Sequence, residues 1–178
     1  MGIVADILRE VPLPRMARVR QNFPAEAVAD VAAALRDELR RPAINGRLRP
    51  GMRIAVAVGS RGVAQIPRIV RTVVEELKLA GTEPFLVPAM GSHGGATAQG
   101  QLDLLAGLGV TEASAGCPIV SSMDVVELGR LPSGLPILMD RHALQADGIV
   151  VINRIKPHTA FSGEYESGLV KMITIGLG

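Results

Sequence analysis

Three short apolar runs alternate with segments of helical periodicity: Arg53 to Gly59 (RIAVAVG), Pro84 to Ala89, and Gly148 to Asn153 (GIVVIN). Runs of this length, rich in Val, Ile and Ala and lacking polar alternation, suit strands buried on both faces. Between them, Ile66 to Leu79 reads as a helix closed by Gly81, and Ala98 to about Leu108 as another. Upstream, a helix is expected to open near Pro24. It would carry Val28, Val31, Ala32, Leu35 and Leu39 on one face and end at Pro42, Asn45 and Gly46. Residues 1–23, which include Pro12 and Pro14, read as irregular or edge structure. A β-rich stretch from Val120 to Leu138 turns at Pro132-Ser133-Gly134, and His142 to Ala146 reads as a short helix. Strands alternating with helices imply right-handed crossovers. The expected fold class is therefore α/β: a mainly parallel sheet with helices on both faces, a Rossmann-like three-layer domain.

Composition narrows the function classes. At 178 residues and 48% hydrophobic, the chain suits one packed domain and not a disordered one. Aromatic residues make up only 2%, with no Trp, so the core must be built from Val, Ile, Leu, Ala and Met. The stacking platforms of single-stranded nucleic-acid binders are missing. The net charge of +2 is scattered, and the densest basic stretch, Arg36 to Arg49, is diluted by Asp37 and Glu38. That pattern is a solvated helix end and not a DNA-binding stripe, so no nucleic-acid partner is expected. A mild positive bias still suits a carboxylate or phosphate ligand. A single cysteine, Cys117, allows no intrachain disulfide and no cysteine metal cluster, and before Pro118 it reads as a small buried hydrophobe. No secretory signal and no bilayer-spanning apolar run are seen, so no membrane partner and a cytoplasmic location are expected.

Ligands of open parallel sheets bind at the carboxyl ends of the strands. Each apolar run here empties into an unusual loop: GSRG with Ser60 and Arg61, GSHGG with Ser92, His93, Gly94 and Gly95, and NRIKPH with His158. Arg61, His93 and His158 are therefore expected to converge on one sheet edge.

Each loop admits a plain reading beside the chemical one. The glycines of GSHGGAT permit positive φ and close approach to a ligand. Thr97 suits a helix cap whose neighbouring amides hold an anion. The loop is neither a Walker A nor a GxGxxG sequence, and the plain alternative is a strand-to-helix turn; a turn, however, does not need an imidazole. Arg61 can grip a carboxylate through its planar fork, or simply sit at the surface. In KPHTAFSGEYESGLVK, Pro157 fixes the backbone before His158, and Ser162-Gly163 and Ser167-Gly168 supply small turns. Lys171 lies in the apolar run GLVKMITIGLG. Leu169, Val170, Met172 and Ile173 are expected to desolvate its ammonium and favour the reactive neutral amine. The alternative is a lysine on the open face of a half-buried element. His142 reads as surface or capping, and Glu164 and Glu166 are candidates to orient a histidine or lysine.

The ordered set VGSRG, GSHGG and PHTAFSGEYESGLVK resembles the N-terminal domain of the nickel-pincer-nucleotide-dependent lactate racemase family. The resemblance runs from about Arg53 onward and rests on the order and separation of the motifs. It implies an isomerase that racemises or epimerises a small-molecule 2-hydroxy acid through transient hydride transfer. It also implies a nicotinate-derived nickel-pincer nucleotide joined to Lys171, with Ser162, Gly163, Ser167 and Gly168 around it. His93 and His158 are the implied acid/base pair, and Arg61 the implied substrate-positioning residue. Ser60, Ser92, Gly94, Gly95 and Thr97 form the expected substrate or anion loops.

Three departures from the family pattern stand out. GEYES lengthens the segment between His158 and Lys171, Val58 stands where an aspartate is expected, and no histidine follows Lys171 to ligate nickel. Residues 1–178 are accordingly expected to be one N-terminal α/β domain of a truncated chain. The C-terminal domain would be absent, no metal ligand would lie within the chain, and the nucleotide would be missing from the fragment. The alternative reading is a non-catalytic nucleotide- or anion-binding α/β module. A conventional dehydrogenase is disfavoured by the missing dinucleotide fingerprint.

Overall fold

The computed structural model describes residues 3–9, 11–12, 15–22, 27–60, 62–158 and 160–178. Its centre is a parallel sheet of β1 (Arg53–Val58), β2 (Glu83–Pro88) and β5 (Gly148–Ile152), ordered β2-β1-β5. β1 pairs with both neighbours, Val56 lying opposite Leu86 on one side and Val150 on the other. All five residues after Arg53 in β1 are buried, because both faces of this central strand are covered. Beyond β2, Leu86 bonds in parallel fashion to the chain at Ile119, through the Pro118 carbonyl and the Val120 N–H.

Ile54, Val56 and Val58 face one layer, and Ala55 and Ala57 the other. On the first side lie Val70, Val73, Val74 and Leu77 of α4 (Ile66–Leu79) and Leu105 of α5 (Ala98–Gly107). On the second lie Ala143 of α7 (Arg141–Leu144) and, near the end of the chain, Met172 and Leu177. The α/β class and the parallel sheet expected from the sequence are thus present. α4 spans Ile66–Leu79 as its periodicity indicates. An antiparallel hairpin, β3 (Val125–Arg130) and β4 (Pro136–Asp140), stands apart from the sheet and carries a register shift at Glu127/Gly129.

Two boundaries differ from expectation. The first long helix, α2 (Val31–Leu39), does not reach back toward Pro24, a position outside the described residues. Asp30 stops it by adopting an extended backbone and accepting the N–H groups of Ala32 and Ala33, which leaves Val28 exposed before the helix. Near the N-terminus, Ile3–Ile7 form a short helix, α1, where irregular structure was expected. After α2, Pro42–Asn45 make a further short helix, α3, where a simple stop was expected. α2 packs on α4, where buried Glu76 accepts two hydrogen bonds from Arg40, at 2.7 and 2.8 Å. The short α6 (Glu112–Ala115) completes the first layer, capped by Thr111. Among the described residues, no helix is long and apolar enough to cross a membrane.

Candidate functional site

Parallel pairing carries the three strand ends to one edge. The Gly59 N–H donates to the Ile152 carbonyl at 3.0 Å, and the Ala89 N–H to the Val58 carbonyl at 3.0 Å. The loops that follow β1, β2 and β5 therefore start side by side. A cavity of about 340 Å³ opens there, lined by Ser60, His93, His158, Gly168 and Lys171 among others. Ser92 and Ser167 also face it. A second cavity, of about 470 Å³, lies between the β3–β4 hairpin and Thr174–Gly178; it contains none of the histidines and no lysine. Arg61 lies outside the described residues.

His93 opens a single tight helical turn, His93–Ala96. Its Nδ1 lies 2.5 Å from the hydroxyl of Ser60, which is buried at the end of the β1 loop. A hydroxyl donates or accepts, so Ser60 supports either neutral tautomer of His93. Gly94 holds a left-handed backbone, φ 64°, that lets the loop double back onto α5. Thr97 seals that fold: its hydroxyl accepts the Gly100 N–H and donates to the Gly94 carbonyl, both at 3.1 Å. Gly94, Gly95 and Thr97 stand outside the cavity lining, where they shape the loop that carries His93.

His158 is held by its own segment. The Glu166 carboxylate accepts the His158 N–H at 2.7 Å and the Gly163 N–H at 3.2 Å. These two donors, the His158 amide foremost, hold the Glu166 carboxyl below its ordinary value of 4.5. The Ala160 N–H donates to His158 Nδ1 at 3.1 Å. A ring nitrogen that accepts carries no hydrogen, so neutral His158 bears its proton on Nε2. Phe161 stacks on the ring, centroids 4.0 Å apart. The Ser167 hydroxyl donates to the Lys156 carbonyl and closes the segment. Ser162 and Gly163 are exposed and outside the cavity lining.

Lys171 ends a short helix, α8 (Leu169–Lys171), that continues into a wider π-type turn, Met172–Gly176. The expected desolvation is not found. Lys171 is exposed, and Leu169, Val170 and Ile173 are 50%, 41% and 52% exposed. Of the four neighbours only Met172 is buried, against the sheet, so the lysine occupies the open face of a half-buried element. The turn seats tightly on the strand ends: a Cβ at Gly176 would lie 2.9 Å from the Ala89 carbonyl oxygen.

Asn153, Arg154 and Lys156 also line the cavity, and sequence reasoning singled out none of them. The signal in the sequence is two cations at alternate positions straight after an apolar strand. Among the described residues, no carboxylate lines the cavity. Of the remaining candidates, His142 is half-buried on α7, whose cap is Asp140, and Cys117 is buried in the first core layer, outside the lining of the strand-end cavity. Burial pushes the Cys117 thiol up to about 11.

The lactate racemase N-terminal domain family matches residues 7–178. The chain belongs to this family. No curated protein matches it. The match covers the strand-end loops and the segment carrying His158 and Lys171, so the family resemblance of those motifs extends over nearly the whole chain. The family takes its description from an isomerase.

Proposed function

We propose that the chain is the cofactor- and substrate-binding N-terminal domain of a 2-hydroxy acid racemase or epimerase that works with a nickel-pincer nucleotide through transient hydride transfer. One observation carries this reading: in a lactate racemase N-terminal domain, His93 from the loop after β2 lines a single cavity with His158 and Lys171 from the segment after β5. The residues fit the nucleotide in two respects. The exposed Lys171 amine beside Gly168 is open to covalent attachment, and the carboxylate-free basic lining suits a phosphate. Among the described residues no group of three or more His, Cys, Asp or Glu stands together, and no nickel ligand is assigned to this chain. When bound, the nucleotide supplies the acceptor for the C2 hydride.

The chain's own residues handle the proton and the placement. Forming a planar keto acid requires the C2 hydroxyl to lose its proton as the hydride leaves. His93 takes that proton at Nε2 when Ser60 accepts from Nδ1–H. His158 starts differently, with Nδ1 engaged by Ala160 and its proton on Nε2. In that state it donates a hydrogen bond to a substrate oxygen. To take a proton itself, it must first move its own to Nδ1 and release the Ala160 N–H. Arg61 grips the substrate carboxylate.

The test follows one enantiomer of a panel of 2-hydroxy acids, lactate first, by chiral chromatography with the nucleotide-loaded full-length enzyme. Replacing His93 or His158 by Ala is expected to slow inversion at least ~100-fold. Inversion at the wild-type rate in either variant sinks the reading. The second reading, an anion-binding module without chemistry, is favoured by the basic lining and predicts binding with no inversion of any acid on the panel.

A further inference from the structure

The segment leaving β5 presents Arg154 and Lys156 to the same cavity as the histidines, where with Lys171 they make its lining basic. Both side chains are exposed. Among the described residues neither forms an ion pair; Arg154 makes only a long contact, 3.5 Å, to the Gly62 carbonyl. The backbone that carries them is nevertheless held firmly. Ser167 donates to the Lys156 carbonyl, Glu166 grips the His158 amide, and the Gly59 amide bonds to Ile152 at the strand end. Two cations with no anionic partner among the described residues, on a pinned loop at a cavity that no described carboxylate lines, make a pre-set positive field. The loop backbone is thus ordered before binding, which leaves the two long side chains as the groups still to be fixed.

We infer that Arg154 and Lys156 form an oxyanion subsite that binds a second negative group of the ligand, distinct from the substrate carboxylate assigned to Arg61. A phosphomonoester and a distal carboxylate share this chemistry; the first would come from a nucleotide and the second from a dicarboxylic 2-hydroxy acid. The inference rests on the proposed function only for the identity of the cavity. It concerns binding, so its test does not require turnover.

The experiment is calorimetric titration of the full chain with two matched pairs: nicotinic acid mononucleotide against its riboside, and malate against lactate. Wild type is expected to favour the more charged member of at least one pair by about tenfold or more, the scale of one charge-assisted hydrogen bond. The R154Q/K156Q double variant should lose that preference while binding the less charged member as before. The pair that responds names the source of the anion. R154Q and K156Q singly, each expected to lose part of the preference, carry the test if the double variant fails to fold by circular dichroism. Equal affinities within both pairs in wild type would overturn the subsite, and so would a preference that survives the substitutions. Loss of the preference in a protein that inverts no 2-hydroxy acid would leave the subsite standing and remove the racemase reading.

Discussion

Gly100 sits in the first turns of α5, where an alanine ordinarily stabilises a helix by about 1 kcal/mol. Here the sign should reverse. A Cβ on Gly100 would fall on the Gly94 carbonyl oxygen, 2.8 Å from the Gly94 carbonyl carbon and 2.8 Å from Thr97 Oγ1. The obstacle is backbone, which cannot rotate away as a flexible side chain would. The loop carrying His93 must move instead. Overpacking of this kind costs ~1–3 kcal/mol. An overlap this severe with backbone belongs in the upper half of that range, so against the helix gain Gly100→Ala should destabilise by ~1–2 kcal/mol net, lowering Tm by roughly 2–8 °C for a chain of this size. Gly107 provides the control. It closes the same helix, nothing lies within 4 Å of its would-be Cβ, and its alanine variant should gain about 0.5–1 kcal/mol. Thermal and urea unfolding read both variants, and the ring resonances of His93 should shift in Gly100→Ala alone. If both substitutions stabilise, or if the His93 ring is unmoved in Gly100→Ala, the packing of the GSHGG loop on α5 is wrong.

Glu166 gives a pH prediction. Its carboxyl is held low by the His158 and Gly163 amides, so its grip is fully present above pH 4.5 and is lost as pH falls through the lowered value. Amide resonances of His158 and Gly163 should share a transition below pH 4.5 that Glu166→Gln abolishes; a shared transition that survives the substitution would point to another group. Glu166→Gln, which keeps the shape and drops the charge, should loosen the same two amides at pH 7, read as faster hydrogen exchange, and unchanged exchange at both would count against the staple. Cys117, with its thiol raised to about 11 by burial, should resist iodoacetamide at pH 8 in the folded chain and react once unfolded, and rapid labelling of native protein would contradict that burial. Leu86→Ala, at a fully buried position in β2, should cost ~2–5 kcal/mol in urea unfolding, and a loss below 1 kcal/mol would place Leu86 outside the core.

β1, β2 and α4 were legible because burial on both faces leaves those strands nothing but apolar residues, and because Gly81 closes the helix; β5 reads the same in sequence but is only partly buried, with Ile149 exposed. The same rule placed the three polar loops at one edge, from which the meeting of His93 and His158 follows. The start of α2 was not legible from periodicity, since Val28 fits the helical face but the Asp30 side chain takes the first amides. The apolar run around Lys171 misled for a related reason. It reads as buried throughout, yet of its apolar side chains only Met172 and Leu177 are buried, while Leu169, Val170 and Ile173 are exposed. Counting apolar residues does not distinguish a wholly buried element from one that touches the core along one line. Arginine and lysine after a strand are common at surfaces, so Arg154 and Lys156 carry no signal by themselves; only the parallel register reveals that this strand end opens into the same cavity as His93. The tautomer of His158 depends on a contact two residues away in the loop, which no spacing rule anticipates.

The most direct measurement is the fate of the C2 hydrogen. One enantiomer of a 2-hydroxy acid labelled with deuterium at C2 is incubated in ordinary water with the nucleotide-loaded full-length enzyme, and the inverted product is separated and weighed by mass spectrometry. Hydride transfer with His93 and His158 moving only the hydroxyl proton predicts that the inverted product keeps its deuterium. Inverted product carrying hydrogen from water would contradict it, because the histidines would then be removing the C2 proton itself.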